Sequence, residues 1–310
     1  MFLQRIKVKD DFLTKLERVV AAPRLLVGEP MAKHTTFRIG GPADYLVLPT
    51  SPEEVAAVLT MARDYRVPVT VLGNGSNVLV RDKGIRGVVV KFDTPMAAIR
   101  DEGARVIAGA GASLGDVSRY AAGKGLTGME FAVGIPGSIG GAVFMNAGAY
   151  DGEIGGVVAA VTAVLPDGQA KRFGHADVHF GYRDSVFQHN GCVICEVELQ
   201  LERGDDEAIK LKMDEYTNRR EEKQPIEMPS AGSTFKRPPG YFAGTLIEQA
   251  GLKGLRVGGA EVSGKHAGFI VNAGGATAAD VLALIREVQR QVHAKFGVKL
   301  QPEVRIFGED

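Results

Sequence analysis

The sequence predicts an α+β protein in two parts, and three observations lead there. Between residues 69 and 148, three glycine-rich loops follow runs that read as strands. A helix with a clear start lies between strand-like runs at 45–48 and 67–72. Composition then shifts near Gly204, where a charged, helix-favouring run opens a second α/β stretch of about 100 residues, an ordinary size for a domain. The expected organisation is an N-terminal helical segment over 1–32, a first domain over 33–204 in two subdomains (about 33–95 and 96–204), and a second domain over 205–310.

In chain order, the helix at 51–65 has Ser51 as its cap, Pro52 in the first turn, and Glu53 and Glu54 at the positive end of the helix dipole. Val55, Val58, Leu59 and Ala62 make its apolar stripe. Strands are expected over 45–48, 67–72, 87–92, 105–108, 157–165 and 193–201, with Asp167-Gly168 as a hairpin turn. The charged run 205–224 reads as a solvated helix. Helices follow at 241–250 and after Thr277, where Asp280 completes a capping-box pattern. Val281, Leu282, Ile285, Val288, Val292 and Phe296 line the face of the last one.

The most informative stretch is 133–150, VGIPGSIGGAVFMNAGAY, with Gly134, Gly137, Gly140, Gly141 and Gly148 and a turn locked by Pro136. So many glycines beside apolar residues bring backbone close to something, and bare N–H groups in such loops cradle anions. The plain alternative is a tightly packed turn. A second run, VTVLGNGSNVLV at 69–80, places Gly73, Asn74, Gly75, Ser76 and Asn77 between two strands. The dinucleotide fingerprint of doubly wound sheets instead opens a helix and needs a third glycine where Val78 stands. A third set, Gly109, Gly111 and Gly115, opens a helix-like segment at 114–123, again with the wrong spacing. Three such loops fit an extended, phosphate-bearing cofactor.

Composition excludes several classes. Lys plus Arg and Asp plus Glu both total 37 in 310 residues, so no net charge favours nucleic acid or a membrane surface. The first 20 residues contain no uninterrupted apolar run of the signal-peptide kind, and no stretch of about 18 apolar residues occurs. A cytoplasmic protein is expected. Cys192 and Cys195 form a C-x-x-C, but no second ligand pair for zinc is evident. The segment reads as a strand, where residues three apart point to opposite faces, which favours two core thiols. His175 and His179 lack the glutamate of a metalloprotease motif, and no metal is expected.

Three polar motifs remain: FGYRDS at 180–185, AGSTFKRPPG at 231–240 and QPEVRIF at 301–307. Each also reads blandly, as a surface ion pair, a rigid turn, and a strand with Glu303 and Arg305 on one face and Val304 and Ile306 on the other.

In this order, HTTFRIGGPADY, LGNGSNVLV, GIPGSIGGAVFMNAGAY, GYRDSVF, AGSTFKRPPG, LIEQAGLKG, KHAGFIVN and PEVRIFG resemble the UDP-N-acetylenolpyruvylglucosamine reductase family from about His34 to Gly308. The resemblance implies a two-part FAD-binding domain of the vanillyl-alcohol-oxidase (PCMH) type and a C-terminal α/β substrate-binding domain. It implies non-covalent FAD, NADPH as reductant, and a small-molecule substrate, UDP-N-acetylglucosamine enolpyruvate, reduced in peptidoglycan synthesis. Neither nucleic acid nor membrane is an expected partner. The catalytic residues carried over are Arg183, Ser233 and Glu303. FAD contacts fall on Gly73 to Asn77, Gly109, Gly111, Gly134, Pro136, Gly137, Ser138, Gly140, Gly141, Asn146 and Ala147. Tyr182, Lys236, Arg237, Lys265 and Arg305 are substrate candidates, the cations as partners for a diphosphate. The segment from Tyr182 to Ser233 looks like the family's shorter subtype, which lacks a closing tyrosine loop.

The implied chemistry suits these groups. Arginine matches a planar carboxylate and stays charged, and a serine held in place can protonate a strongly basic carbanion. Glu303 is either protonated, since a carboxylate would repel the developing enediolate, or it orients another donor. Two other readings stay open: an oxidase of the same flavin fold, and a nucleotide-binding module without activity.

Overall fold

A computed structural model describes residues 2–310, with the backbone alone over 2–10. The chain divides into two compact units. The first comprises Met1–Gly28, Tyr45–Asn74 and Gly87–Thr217; the second comprises Glu29–Asp44, Gly75–Arg86 and Asn218–Asp310.

In the first unit a five-stranded antiparallel sheet runs in the order Ala170–Gly174, Val158–Val164, Val193–Gln200, Arg105–Gly109, Ile99–Glu102. The Asp167-Gly168 hairpin joins its first two strands, with Gly168 at φ +91, a conformation that costs glycine nothing. Helices Leu114–Gly123 and Ile139–Met145 are capped by Ser113 and Ser138. Helix Pro52–Asp64 begins as its sequence predicts, with the Ser51 hydroxyl accepting from the Glu54 N–H. Val55, Val58, Val90, Val117, Val161 and Val197 are among the buried residues of this unit's core.

Strands Leu25–Pro30, Pro42–Val47, Ile85–Lys91 and Val69–Leu72 lie side by side in that order, the last two parallel. In the second unit a four-stranded sheet runs Ser230–Ser233, Phe269–Asn272, Ala260–Val262, Arg256–Val257. Helix Ala278–Phe296 packs on it, closed by a capping box between Thr277 and Asp280 and ended by a left-handed Gly297. The Asp82 carboxylate accepts from the N–H groups of Ala278 and Ala279, which answers two donors that a helix start leaves open. Phe37, Leu79, Phe235, Ile247, Leu284 and Val288 belong to this unit's core.

Several expectations need correction. The compact units are discontinuous in sequence, with 29–44 and 75–86 falling with 218–310. The charged helix Asp206–Lys223 is not wholly solvated: it buries Ile209, Met213 and Tyr216 at helical spacing, and Tyr216 joins the first unit's core. The segment 1–32 is not wholly helical: helix Phe2–Val19 is followed by strand Leu25–Pro30. In the last helix Leu284 is fully buried, whereas Leu282 and Phe296 are only partly so. Ile306 is 37% exposed although Val304 is buried, because the strand is only Arg305–Phe307 and pairs on one side alone, with Val78–Val80.

Cys195 is buried and Cys192 half-buried, and both are free thiols. Burial pushes the Cys195 thiol up to about 12. Among the described residues no helix is long and apolar enough to cross a membrane.

Candidate functional site

Two of the glycine runs are laced together in the first unit. The N–H of Leu114 donates to the Gly137 carbonyl at 2.8 Å, that of Ile139 to Ala112 at 2.8 Å and that of Gly140 to Ala110 at 3.0 Å. Ser113 and Ser138 form a bridge. A Cβ on Gly140 would stand 2.8 Å from the Ala110 Cβ, closer than side chains approach. A Cβ on Gly73 would collide with the Ser138 hydroxyl, and one on Gly109 with the Met96 carbonyl. Gly111 is hemmed in by the Asp93 carbonyl at 2.8 Å. At these four positions glycine is required by protein packed against protein, so the plain reading of a tight turn holds beside the cofactor reading.

The result is nevertheless a bare seam of main chain drawn from three loops, which fits a cofactor gripped by backbone groups rather than by long side chains. Gly141 lies on the exposed side of that seam, as does Pro136. Ser138 is buried, and its hydroxyl accepts from the Gly141 N–H at 3.3 Å. Asn74 belongs to this unit, while Gly75, Ser76 and Asn77 belong to the second. There Gly75 has φ +64, and its carbonyl accepts from the Thr36 N–H.

Arg183 occupies the tip of a tight hairpin closed by reciprocal N–H to carbonyl bonds between Gly181 and Asp184, at 3.0 and 3.1 Å. Its backbone is left-handed, with φ 55. A branched or long side chain pays for that conformation unless its surroundings impose it. They do: Gln188 Nε2 donates to the Arg183 carbonyl at 3.0 Å and to the Phe144 carbonyl at 2.9 Å, and Ser185 Oγ also donates to Phe144. The guanidinium donates to the carbonyls of Asn146 at 3.4 Å and Gly148 at 3.2 Å. Tyr182 beside it is exposed.

Asn146, expected as a cofactor contact, is 1% exposed. Its Nδ2 donates to the Gly181 carbonyl at 2.9 Å and its Oδ1 accepts from the Gly155 N–H at 3.0 Å. Both ends of its amide therefore serve the protein. Ala147 donates its N–H to the Ala142 carbonyl, which ends helix Ile139–Met145.

In the second unit, AGSTFK and QPEVR run beside each other. Glu303 N–H donates to the Thr234 carbonyl at 2.8 Å and Lys236 N–H to the Gln301 carbonyl at 2.8 Å, with a bridge between Phe235 and Pro302. Ser233 closes the strand Ser230–Ser233 and is exposed, after an irregular step at Gly232 with φ +71. The structure thus brings Ser233 and Glu303 to neighbouring positions. Asn77 joins them: its Nδ2 donates to the Glu303 carbonyl at 3.3 Å, and its own carbonyl accepts from the Arg305 N–H at 3.0 Å.

Of the candidate cations, Arg305 is half-buried, and that burial pulls its pKa down from the usual guanidinium value. Arginine still keeps its charge at neutral pH. Lys265 Nζ donates to the Glu221 carbonyl at 2.7 Å and lies 3.8 Å from Glu227, so it already holds the end of the charged helix. Arg237 stacks over the Phe242 ring at 4.0 Å. Lys236 is half-buried. Gln188 and Thr234 were not legible as site residues, because only the folded register shows what they hold. Among the described residues, no three His, Cys, Asp or Glu side chains are grouped to hold a metal ion.

Residues 43–174 match the family described as an FAD binding domain, and residues 224–307 match the UDP-N-acetylenolpyruvoylglucosamine reductase C-terminal domain. A UDP-N-acetylenolpyruvoylglucosamine reductase of Clostridium perfringens (strain SM101 / Type A) is 53% identical over 286 residues, 92% of this chain and 94% of the relative. The crystal structure of UDP-N-acetylenolpyruvylglucosamine reductase from Thermus caldophilus is similar with a TM-score of 0.80 at 37% identity, over 92% of this chain and 98% of that one. The glucose dehydrogenase Phl p 4.0202 is similar with a TM-score of 0.50 at 17% identity, over 63% of this chain and 44% of its own, a likeness of fold alone.

Proposed function

The chain belongs to the UDP-N-acetylenolpyruvoylglucosamine reductase family, and from that membership we propose that it reduces UDP-N-acetylglucosamine enolpyruvate to UDP-N-acetylmuramate for peptidoglycan synthesis. FAD is the bound cofactor and NADPH the reductant. The architecture is the two-part FAD-binding fold of the vanillyl-alcohol-oxidase (PCMH) type followed by a substrate domain. The small, charged nucleotide substrate suits a cytoplasmic enzyme.

When bound, FAD would supply the hydride chemistry, with NADPH as the reductant and C3 of the enolpyruvyl group as the position reduced. The seam of Gly73, Gly109, Gly111 and Gly134–Gly141 is the part of the chain that would hold it. The chain's own side chains handle charge and proton. As C2 becomes electron-rich, charge spreads into the adjacent carboxylate, and the Arg183 fork matches that group in shape and charge. A donor placed for developing charge is typically worth about 3–4 kcal/mol. To engage it, the guanidinium exchanges its bonds to the neutral Asn146 and Gly148 carbonyls for stronger ones to an anionic carboxylate. Ser233 Oγ gives its proton to C2. Glu303, tied to the residue after Ser233, steadies the same region. Arg305, Lys236 and Arg237 are the cations we assign to the diphosphate, with Lys265 behind them because it already holds the charged helix.

The observation that supports this reading is the register between 233–236 and 301–303, in which the segment that carries Ser233 runs beside the one that carries Glu303. The experiment is an absorption spectrum of the purified protein followed through NADPH addition. The reading expects a flavin spectrum that bleaches with NADPH and recovers when the enolpyruvyl nucleotide is added without oxygen. A colourless protein that takes up no FAD, or a reduced flavin that the nucleotide does not reoxidise, would overturn it.

A further inference from the structure

We infer that Asn146 is a positioning residue for Arg183 rather than a contact to the cofactor, an inference that rests on the role proposed for Arg183. The amide of Asn146 is the strut between the end of helix Ile139–Met145 and the hairpin that carries the arginine.

Four observations converge on it. Asn146 is buried, so its amide reaches no solvent. Its backbone is left-handed, with φ 42, which asparagine tolerates better than most residues and which turns the chain out of the helix. Its Nδ2 holds the Gly181 carbonyl at the base of the hairpin, and its Oδ1 holds the Gly155 N–H on the other side. Its own carbonyl is one of the two oxygens that receive the Arg183 guanidinium. One residue thus fixes the base of the hairpin and also supplies a resting place for its tip.

Gln188 completes the clamp from the opposite direction, bridging the Phe144 and Arg183 carbonyls with a single amide. The strained φ of Arg183 explains why such a clamp exists. A hairpin tip with a left-handed arginine relaxes once its anchors go, and the guanidinium loses its aim. Neither amide needs to touch substrate or flavin for this. A misplacement of about 1 Å of a catalytic group can cost on the order of 100-fold in rate.

The test uses the flavin-loaded enzyme and Asn146→Asp. This change keeps the size and the acceptor for Gly155 but sets a carboxylate oxygen against the Gly181 carbonyl. The expected result has three parts. Flavin affinity and NADPH bleaching stay within about twofold of the parent, because Asn146 is not a cofactor contact. Reoxidation by the enolpyruvyl nucleotide slows by roughly 10- to 100-fold. In an Arg183→Ala background, Asn146→Asp adds at most about twofold, because it acts through the side chain already removed.

Parental reoxidation in Asn146→Asp, the same slowing on top of Arg183→Ala, or a fall in flavin affinity large enough to account for the defect would each overturn the inference. If Asn146→Asp does not fold, Gln188→Glu puts the same question from the other anchor and is held to the same three criteria. Arg183→Ala alone separates the layers. Parental reoxidation there overturns the role of Arg183 and the inference with it. Slow reoxidation there beside parental reoxidation in the anchor variants overturns the inference alone.

Discussion

The main-chain N–H of Glu303 donates to the carbonyl of Thr234 at 2.8 Å, which ties the residue two positions before the last strand to the residue that follows Ser233. Glu303 lies 69 positions after Thr234 in the sequence, and one backbone bond removes that distance. Thr234 is itself held, since its hydroxyl accepts from the Ile270 N–H at 3.0 Å.

Ser233→Ala tests the proposed proton donor directly. NADPH should bleach the flavin at the parental rate, while reoxidation by the enolpyruvyl nucleotide slows by about 10²–10⁴-fold, the usual worth of a placed general acid. Stopped-flow absorbance resolves the two half-reactions. Equal losses in both would remove the hydroxyl from the proton transfer.

Gly140→Ala tests the seam. The added methyl would stand 2.8 Å from the Ala110 Cβ and 3.0 Å from its carbonyl, so the two glycine runs must separate. Overpacking of this kind costs about 1–3 kcal/mol. The variant should lose flavin on gel filtration under conditions where the parent keeps it. Unchanged flavin content and unchanged thermal midpoint would show that the two runs are not rigidly joined.

Glu54→Gln gives a pH signature. Two hydrogen bonds from Arg24, at 2.6 and 2.8 Å, hold the Glu54 carboxyl down at about 2. A depressed carboxylate stabilises the fold at every pH above its unfolded value of about 4.3. That stabilisation is lost as pH falls from there through about 2. Removing it should cost about 1–3 kcal/mol at pH 7, as for bonds to a charged group. Urea midpoints of the parent and the variant should converge between pH 4.5 and pH 2. A gap as wide at pH 2.5 as at pH 7 would contradict the assignment.

The cysteines should be silent in the native protein. With its thiol pushed up to about 12, Cys195 has almost no thiolate at pH 8, and burial raises Cys192 as well. Iodoacetamide at pH 8 should leave Cys195 unmodified by mass spectrometry until denaturant is added. Rapid labelling of native Cys195 would show that the strand Val193–Gln200 opens readily.

Much of this was legible because it is local. The Ser51 and Thr277 caps, the hairpin at Asp167-Gly168 and the glycine loops are each specified by residues a few positions apart, and local hydrogen bonding and positive φ act over that range. The three motifs proposed as catalytic were legible only through resemblance, since an arginine after a glycine or a glutamate in a strand has no signature of its own. Asn146 shows the limit most clearly. Beside so many glycines it reads as part of a cofactor loop, and only the folded chain shows its amide closed between Gly181 and Gly155.

By itself, then, the chain of residues determined where helices begin, where the backbone must turn tightly and which family it belongs to. The tertiary structure alone decided that 29–44 and 75–86 go with the last third of the chain, that Tyr216 carries the charged helix into the first core, and that Glu303 lies beside Thr234. The reason is physical. Caps and turns are settled by neighbours along the backbone. Sheet register and core membership are settled by apolar surface and hydrogen-bonding groups that meet only after distant segments have come together.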